Sequence, residues 1–151
     1  MKMIKLSLIA TIALVIGLAG TAASQYANRL SEKEMKDLLG RIEKQAAAFR
    51  SSLKDALDHS RFDDTKREDR IKDFVKEFDH ATERLKERYS DKNTASSVVE
   101  DVLNRAARID EFMSRHQLSP RAENNWAALR DNLDQLAEAY AVTWSWPDRR
   151  N

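Results

Sequence analysis

LSEKEMKDLLGRIEKQAAAFRSSLKDALDH, residues 30–59, decides the fold. Ser31 is followed three positions later by Glu34, the reciprocal arrangement in which a hydroxyl and a carboxylate satisfy each other's backbone N–H at a helix start. Leu30 and Met35 occupy the flanking positions where two apolar side chains close over that start. Behind them Leu38, Leu39, Ile42, Ala46, Phe49, Leu53, Ala56 and Leu57 recur at steps of three and four. That spacing places them on one face of a long helix, with charged residues opposite.

The same period returns three times. Asp63 or Asp64 is positioned to cap a second helix, whose apolar face is Ile71, Phe74, Val75, Phe78, Ala81, Leu85 and Tyr89. A polar cluster at 90–94 then predicts a loop. A third helix begins between Thr94 and Ser97 and carries Val98, Val99, Val102, Ala106, Ile109 and Met113, flanked by Leu103 and Phe112. Ser119-Pro120 opens a fourth, because proline at the first helical position lacks only an N–H that would have no partner there. Its seam is Ala122, Trp126, Leu129, Leu133, Leu136 and Tyr140. The prediction is an all-α, antiparallel four-helix bundle with helices at about 31–59, 64–89, 95–116 and 120–140, a single domain over 24–151.

After Tyr140 the period changes. Val142, Trp144 and Trp146 alternate with Thr143 and Ser145, and Pro147 stops regular structure. A period of two belongs to extended chain with one apolar face. This C-terminal segment is expected to lie back along the bundle and bury its indoles over a groove, each needing a partner for its N–H. The alternative is that Trp144 and Trp146, with Tyr140, form a contact surface.

The N-terminal end reads differently. Lys2 and Lys5 precede an apolar run from Leu6 to Gly20, and small residues follow through Ser24. This is the form of a secretory signal peptide, residues 1–23, with cleavage after Ala23. Thr21 stands where a lipoprotein would need cysteine. The competing reading is an uncleaved anchor, since the run and its flanks approach the length of a spanning helix. Export implies a periplasmic or secreted protein, with no membrane span in the mature chain.

Composition narrows the chemistry. The 151 residues include no cysteine, which excludes disulfides, thiolate nucleophiles, covalent haem attachment and cysteine-rich zinc sites. Cleavage removes two of 26 basic residues and none of 25 acidic ones, leaving the signs nearly balanced. From Arg61 to Lys92 ten basic and ten acidic residues are interspersed, a solvated helical surface with i,i+4 pairs. No basic stripe suits a phosphate backbone, so nucleic acid is not an expected partner.

Candidate sites are sparse. Glu77 and His80 form a Glu-x-x-His pair, half of a di-iron motif, but no second pair exists and both project away from the Phe74/Phe78/Leu85 face toward solvent. No metal or other cofactor is expected. His59 and His116 lie near helix C-termini, where an imidazole caps the last carbonyls. Asp110 beside Ile109 is a candidate buried carboxylate, requiring Arg105, Arg108 or an arginine of another helix. Asp110, His116 and Trp126 are the residues from which an internal ligand pocket could be built. No nucleophile elbow and no glycine-rich phosphate loop occurs, so no catalytic residue is assigned. The function expected is that of an exported, non-enzymatic structural or protein-interaction module of the cell envelope, with an envelope protein as partner. The alternative is a small-ligand or metal carrier.

Overall fold

In the computed structural model, which describes residues 30–60, 65–92 and 94–147, Ser31 opens the first helix by the expected exchange. Its hydroxyl accepts from the Glu34 N–H at 3.3 Å, and the Glu34 carboxylate accepts from the Ser31 N–H at 2.8 Å. Helix α1 then runs Glu32–Asp58. At its far end the His59 ring Nδ1 lies 2.8 Å from the Asp55 carbonyl, the expected capping role.

Helix α2 spans Lys66–Ser90 and starts later than the acidic pair predicted. Thr65 is the N-cap, its hydroxyl accepting from the Glu68 N–H at 3.4 Å. Asp63 and Asp64 lie outside the described residues, as do the leader at 1–23 and residues 148–151. The reason for the shift is ordinary: several polar residues in a row can each cap, and the apolar register of Ile71 onward selects among them. Helix α3, Ser96–Arg115, has Ala95 at its N-cap and no side-chain cap. Helix α4, Pro120–Ala139, begins as expected, with the Ser119 hydroxyl accepting from the Ala122 N–H at 3.3 Å.

The four helices form a ring in which each runs antiparallel to both neighbours. On the α1–α4 side, Arg41 Nε donates to Asn132 Oδ1 at 3.1 Å and Asn125 donates to the Ser52 hydroxyl at 3.0 Å, so rising numbers face falling ones. On the α2–α3 side, Glu77 faces Arg105 and Asp101 faces Arg84, both at 2.7 Å. Arg50–Asp79 and Glu43–Lys86 ion pairs join α1 to α2. The packing is uneven around the ring: α1 lies close on α4 and α2 close on α3, while α3–α4 and α1–α2 stand farther apart.

All four apolar faces meet in one core. Trp126, Phe49, Phe78, Leu38, Ile42 and Leu103 are among the fully buried side chains. Burying such a side chain contributes roughly 1.5–3 kcal/mol, and none of the four stripes can do so alone. Ser52 and Asn132 are buried too. Periodicity missed them because they sit on the tight α1–α4 seam and are satisfied locally: Ser52 donates to the Phe49 carbonyl at 2.9 Å, and Asn132 to the Ala128 carbonyl at 3.0 Å. No strand occurs among the described residues, and no described helix is long and apolar enough to cross a membrane.

Candidate functional site

Asp110 has no exposure at all. It sits on α3 where that helix faces α4, and a carboxylate there must be held by donors. Trp126 on α4 supplies one: its indole N–H donates to Asp110 Oδ1 at 2.8 Å. Arg130, one helical turn further on, brings its guanidinium to 3.3 Å from the same oxygen. The expected arginine therefore comes from α4. Arg105 and Arg108, the candidates on α3 itself, turn instead to Glu77 at 2.7 and 2.9 Å. Glu77 is consequently half-buried in the α2–α3 seam, not pointed at solvent as its wheel position suggested; a neighbouring helix converted an outward flank into an interface. His80 is exposed, 3.5 Å from Glu83.

The arginine has a second face. Its guanidinium stacks 4.5 Å from the centre of the Trp146 ring, an arrangement favourable for cation and aromatic quadrupole. Trp146 donates its N–H to Asp134 Oδ1 at 2.7 Å. Its ring meets Trp126 edge-on at 6.2 Å, and Trp144 meets Trp146 edge-on at 5.6 Å. Trp126 in turn packs on Phe49 of α1 at 4.9 Å. A continuous chain of rings and charges thus runs from the centre of the bundle to its surface over α4, on the side turned toward α3.

Residues 141–147 carry no helix or strand, and their burial alternates: Val142, Trp144 and Trp146 are half-buried, while Ala141, Thr143, Ser145 and Pro147 are exposed. The three apolar residues pack against the core. The Trp144 indole N–H is buried without a hydrogen-bond partner, a loss of roughly 1–3 kcal/mol for a fully desolvated group.

This segment turns back at one residue. Ala141 has φ 53°, the left-handed region that glycine adopts freely and alanine does not. The Val142 N–H donates to the Ala137 carbonyl at 2.9 Å and the Ala141 N–H to the Glu138 carbonyl at 3.0 Å. Those two bonds are the Schellman termination, here built without its usual glycine.

Tyr140 has different neighbours from the tryptophans. It lines an open groove of about 840 Å³ at the end of the bundle with Tyr89, Thr94, Leu39 and Gly40, rimmed by Lys36, Lys86 and Lys92. Burial pushes the Tyr140 phenol up, against the opposing effect of the Thr94 hydroxyl. A methyl group on Gly40 would meet nothing within 4 Å, so the groove stays open above the α1 backbone. A smaller groove of about 240 Å³ follows the α1–α2 seam, floored by Ile42, Ala46 and Leu85.

Of the three pocket candidates, Asp110 and Trp126 are in direct contact and fully buried. His116 is half-buried at the C-cap of α3, its ring 4.5 Å from that of Phe112. Both grooves described above are lined by other residues. Among the described residues, no three His, Cys, Asp or Glu side chains gather as a metal ion would require.

The geometry defines an all-α four-helix bundle. No family model, no curated protein and no solved structure matches the chain.

Proposed function

We propose that this chain is an exported, non-enzymatic structural or protein-interaction module of the cell envelope, making contact through Trp144 and Trp146, with Tyr140 at the adjoining end of the bundle. The observation that carries the reading is the half-exposed indole pair, with the Trp144 N–H lacking an acceptor. Tryptophan and tyrosine are among the residues that dominate the energetics of protein contacts. The apolar N-terminal run after Lys2 and Lys5 supports export, and with it a periplasmic or secreted location.

Cross-linking in intact cells tests both parts. A partner captured by the native protein is expected to be lost from Trp144→Ser, a substitution that removes a half-exposed ring and an unpaired donor and leaves the Trp146–Asp134 bond in place. N-terminal sequencing of the accumulated protein is expected to begin at Ser24. The same partner captured undiminished by the variant, or a protein retained in the cytoplasm, would overturn the reading.

A small-ligand carrier is the second reading. The end groove beside Tyr89 and Tyr140 favours it more than the Asp110–Trp126 contact, where the two side chains fill the space between them. Elemental analysis of the purified protein tests the metal version.

A further inference from the structure

We infer that the C-terminal segment Val142–Trp146 is an exchangeable strap, and that the surface it covers on α4 also binds the same segment of a second copy of this chain. This concerns contact between copies and needs only the fold described above; it holds whether or not an envelope partner exists.

Three observations carry it. The first is complementarity already realised: the α3–α4 spacing is one of the two wide ones, and Trp146 is held on its α4 side by Asp134, Arg130 and the edge of Trp126. Any copy of the segment presented to that surface finds the same partners. The second is the hinge. The chain reverses at Ala141, whose φ of 53° is one of two positive values at non-glycine residues among the described ones. A left-handed alanine costs about 1 kcal/mol or somewhat more, and the strain disappears if the residue extends. Strained, short hinges favour exchange between protomers.

The third is direction. After the reversal, the segment runs antiparallel to α4, from Tyr140 back toward Trp126. If Ala141 extends instead, the segment continues along the α4 axis beyond the end of the bundle. A second copy placed end to end about a two-fold axis offers its own α4 pointing the opposite way. The straightened segment then meets that α4 in the antiparallel sense seen within one chain. Seven residues of extended chain span at most roughly 25 Å, enough to reach from Tyr140 of one copy past the last turns of α4 in the other. The arrangement is closed and two-fold, so it stops at a dimer.

Magnitudes set the concentration range. A segment tethered by a short linker competes at an effective concentration of order millimolar, which alone would keep the chain monomeric in dilute solution. Relief of about 1 kcal/mol at a hinge is roughly fivefold, and two hinges extend in each dimer; with water taking over the Ala137 and Glu138 carbonyls that extension frees, the dissociation constant falls about 25-fold, into the tens of micromolar.

Sedimentation of the purified protein alone, in the form the cell accumulates, from about 5 µM to 1 mM, is the test. The native chain is expected to dimerise over that range. Ala141→Gly removes the hinge strain without disturbing the segment, and is expected to weaken the dimer by about 25-fold. That variant is expected to fold at least as well as the native chain, so the comparison stands even if tail substitutions unfold the protein. Trp144→Ala/Trp146→Ala is expected to abolish the dimer while helical circular dichroism persists. A native chain that stays monomeric at 1 mM overturns the proposal. So does a dimer whose strength is unchanged in Ala141→Gly or in the tryptophan double variant. No envelope extract enters the assay, so its failure is distinct from failure to find a foreign partner.

Discussion

Trp126 and Asp110 meet through a 2.8 Å hydrogen bond at a point where neither side chain has any exposure. Two helices that are among the more loosely packed neighbours are thereby pinned by a polar contact inside an apolar core. Such a contact is costly to halve. Removing one partner leaves the other desolvated, whereas replacing both with apolar groups can be nearly neutral.

Trp126→Phe is therefore expected to destabilise the fold by about 2–3 kcal/mol, the sum of a lost donor and a small void. Asp110→Leu alone strands both the indole N–H and one face of Arg130. The double variant is expected to cost less than the two single variants added together, with a coupling of about 1–2 kcal/mol. Urea denaturation of the four proteins in the cycle measures it; simple additivity would mean the bond holds nothing in place.

The hinge at Ala141 has a counterpart at Lys92, where φ is 55° after the last turn of α2. Ala141→Gly and Lys92→Gly are each expected to raise stability by about 0.5–1 kcal/mol, since glycine adopts this conformation without the clash of a Cβ. Differential scanning calorimetry at low protein concentration checks both. A lower melting temperature for either would show that the loss of chain stiffness in the unfolded state outweighs the relief.

Helix α3 starts without a side-chain cap, at an exposed residue with extended backbone angles (φ −91°, ψ 154°). Those angles are the ones that let a short polar side chain reach back to the helix N–H groups. Ala95→Asp is expected to add about 1 kcal/mol. Part of the gain comes from the favourable position of a negative charge at a helix N-terminus, so it should shrink when the solution is acidified enough to protonate the new carboxylate.

Asp79 illustrates a pH effect of the opposite sense to the usual one. Burial in the α1–α2 seam raises its pKa above the ordinary 3.8, and the nearby Arg50 guanidinium only partly offsets this. A raised acid binds more protons folded than unfolded, so this group's contribution to stability falls as pH rises through the folded value and is most favourable below the ordinary one. Asp79→Asn is expected to be neutral to slightly stabilising at neutral pH. Near pH 3 that advantage should vanish. Glu34, by contrast, is held below its ordinary 4.5 by the Ser31 hydroxyl and N–H, so the stability it contributes is present above that value and is lost as the pH falls through the folded one. Denaturation of Asp79→Asn and Glu34→Gln against the native chain at both pH values separates the two signs.

Much of the candidate site is legible in the sequence. The apolar stripes returning every three or four residues placed Trp126 inward, and the step of two after Tyr140 set Val142, Trp144 and Trp146 on one side. The need of a buried carboxylate for a cation pointed from Asp110 to an arginine. Which arginine was not legible, because Arg105 and Arg108 were nearer in sequence and only the rotation of α3 sent them to Glu77. The separation of Tyr140 from the two tryptophans was not legible either: the reversal at Ala141 gives Tyr140 the groove beside Tyr89 and carries the indoles back toward Trp126.

Local chemistry, then, belonged to the sequence alone: where helices begin at Ser31 and Ser119, which faces are greasy, and which chemistries the absence of cysteine forbids. These depend on neighbours within a turn or two, and the covalent order of residues supplies them. The tertiary structure alone decided which helices pack tightly, that Ser52 and Asn132 go inside, and that Arg130 bridges Asp110 to Trp146. Those outcomes depend on the rotation of one helix against another, which is set by the packing of all four at once and by no single stretch of chain.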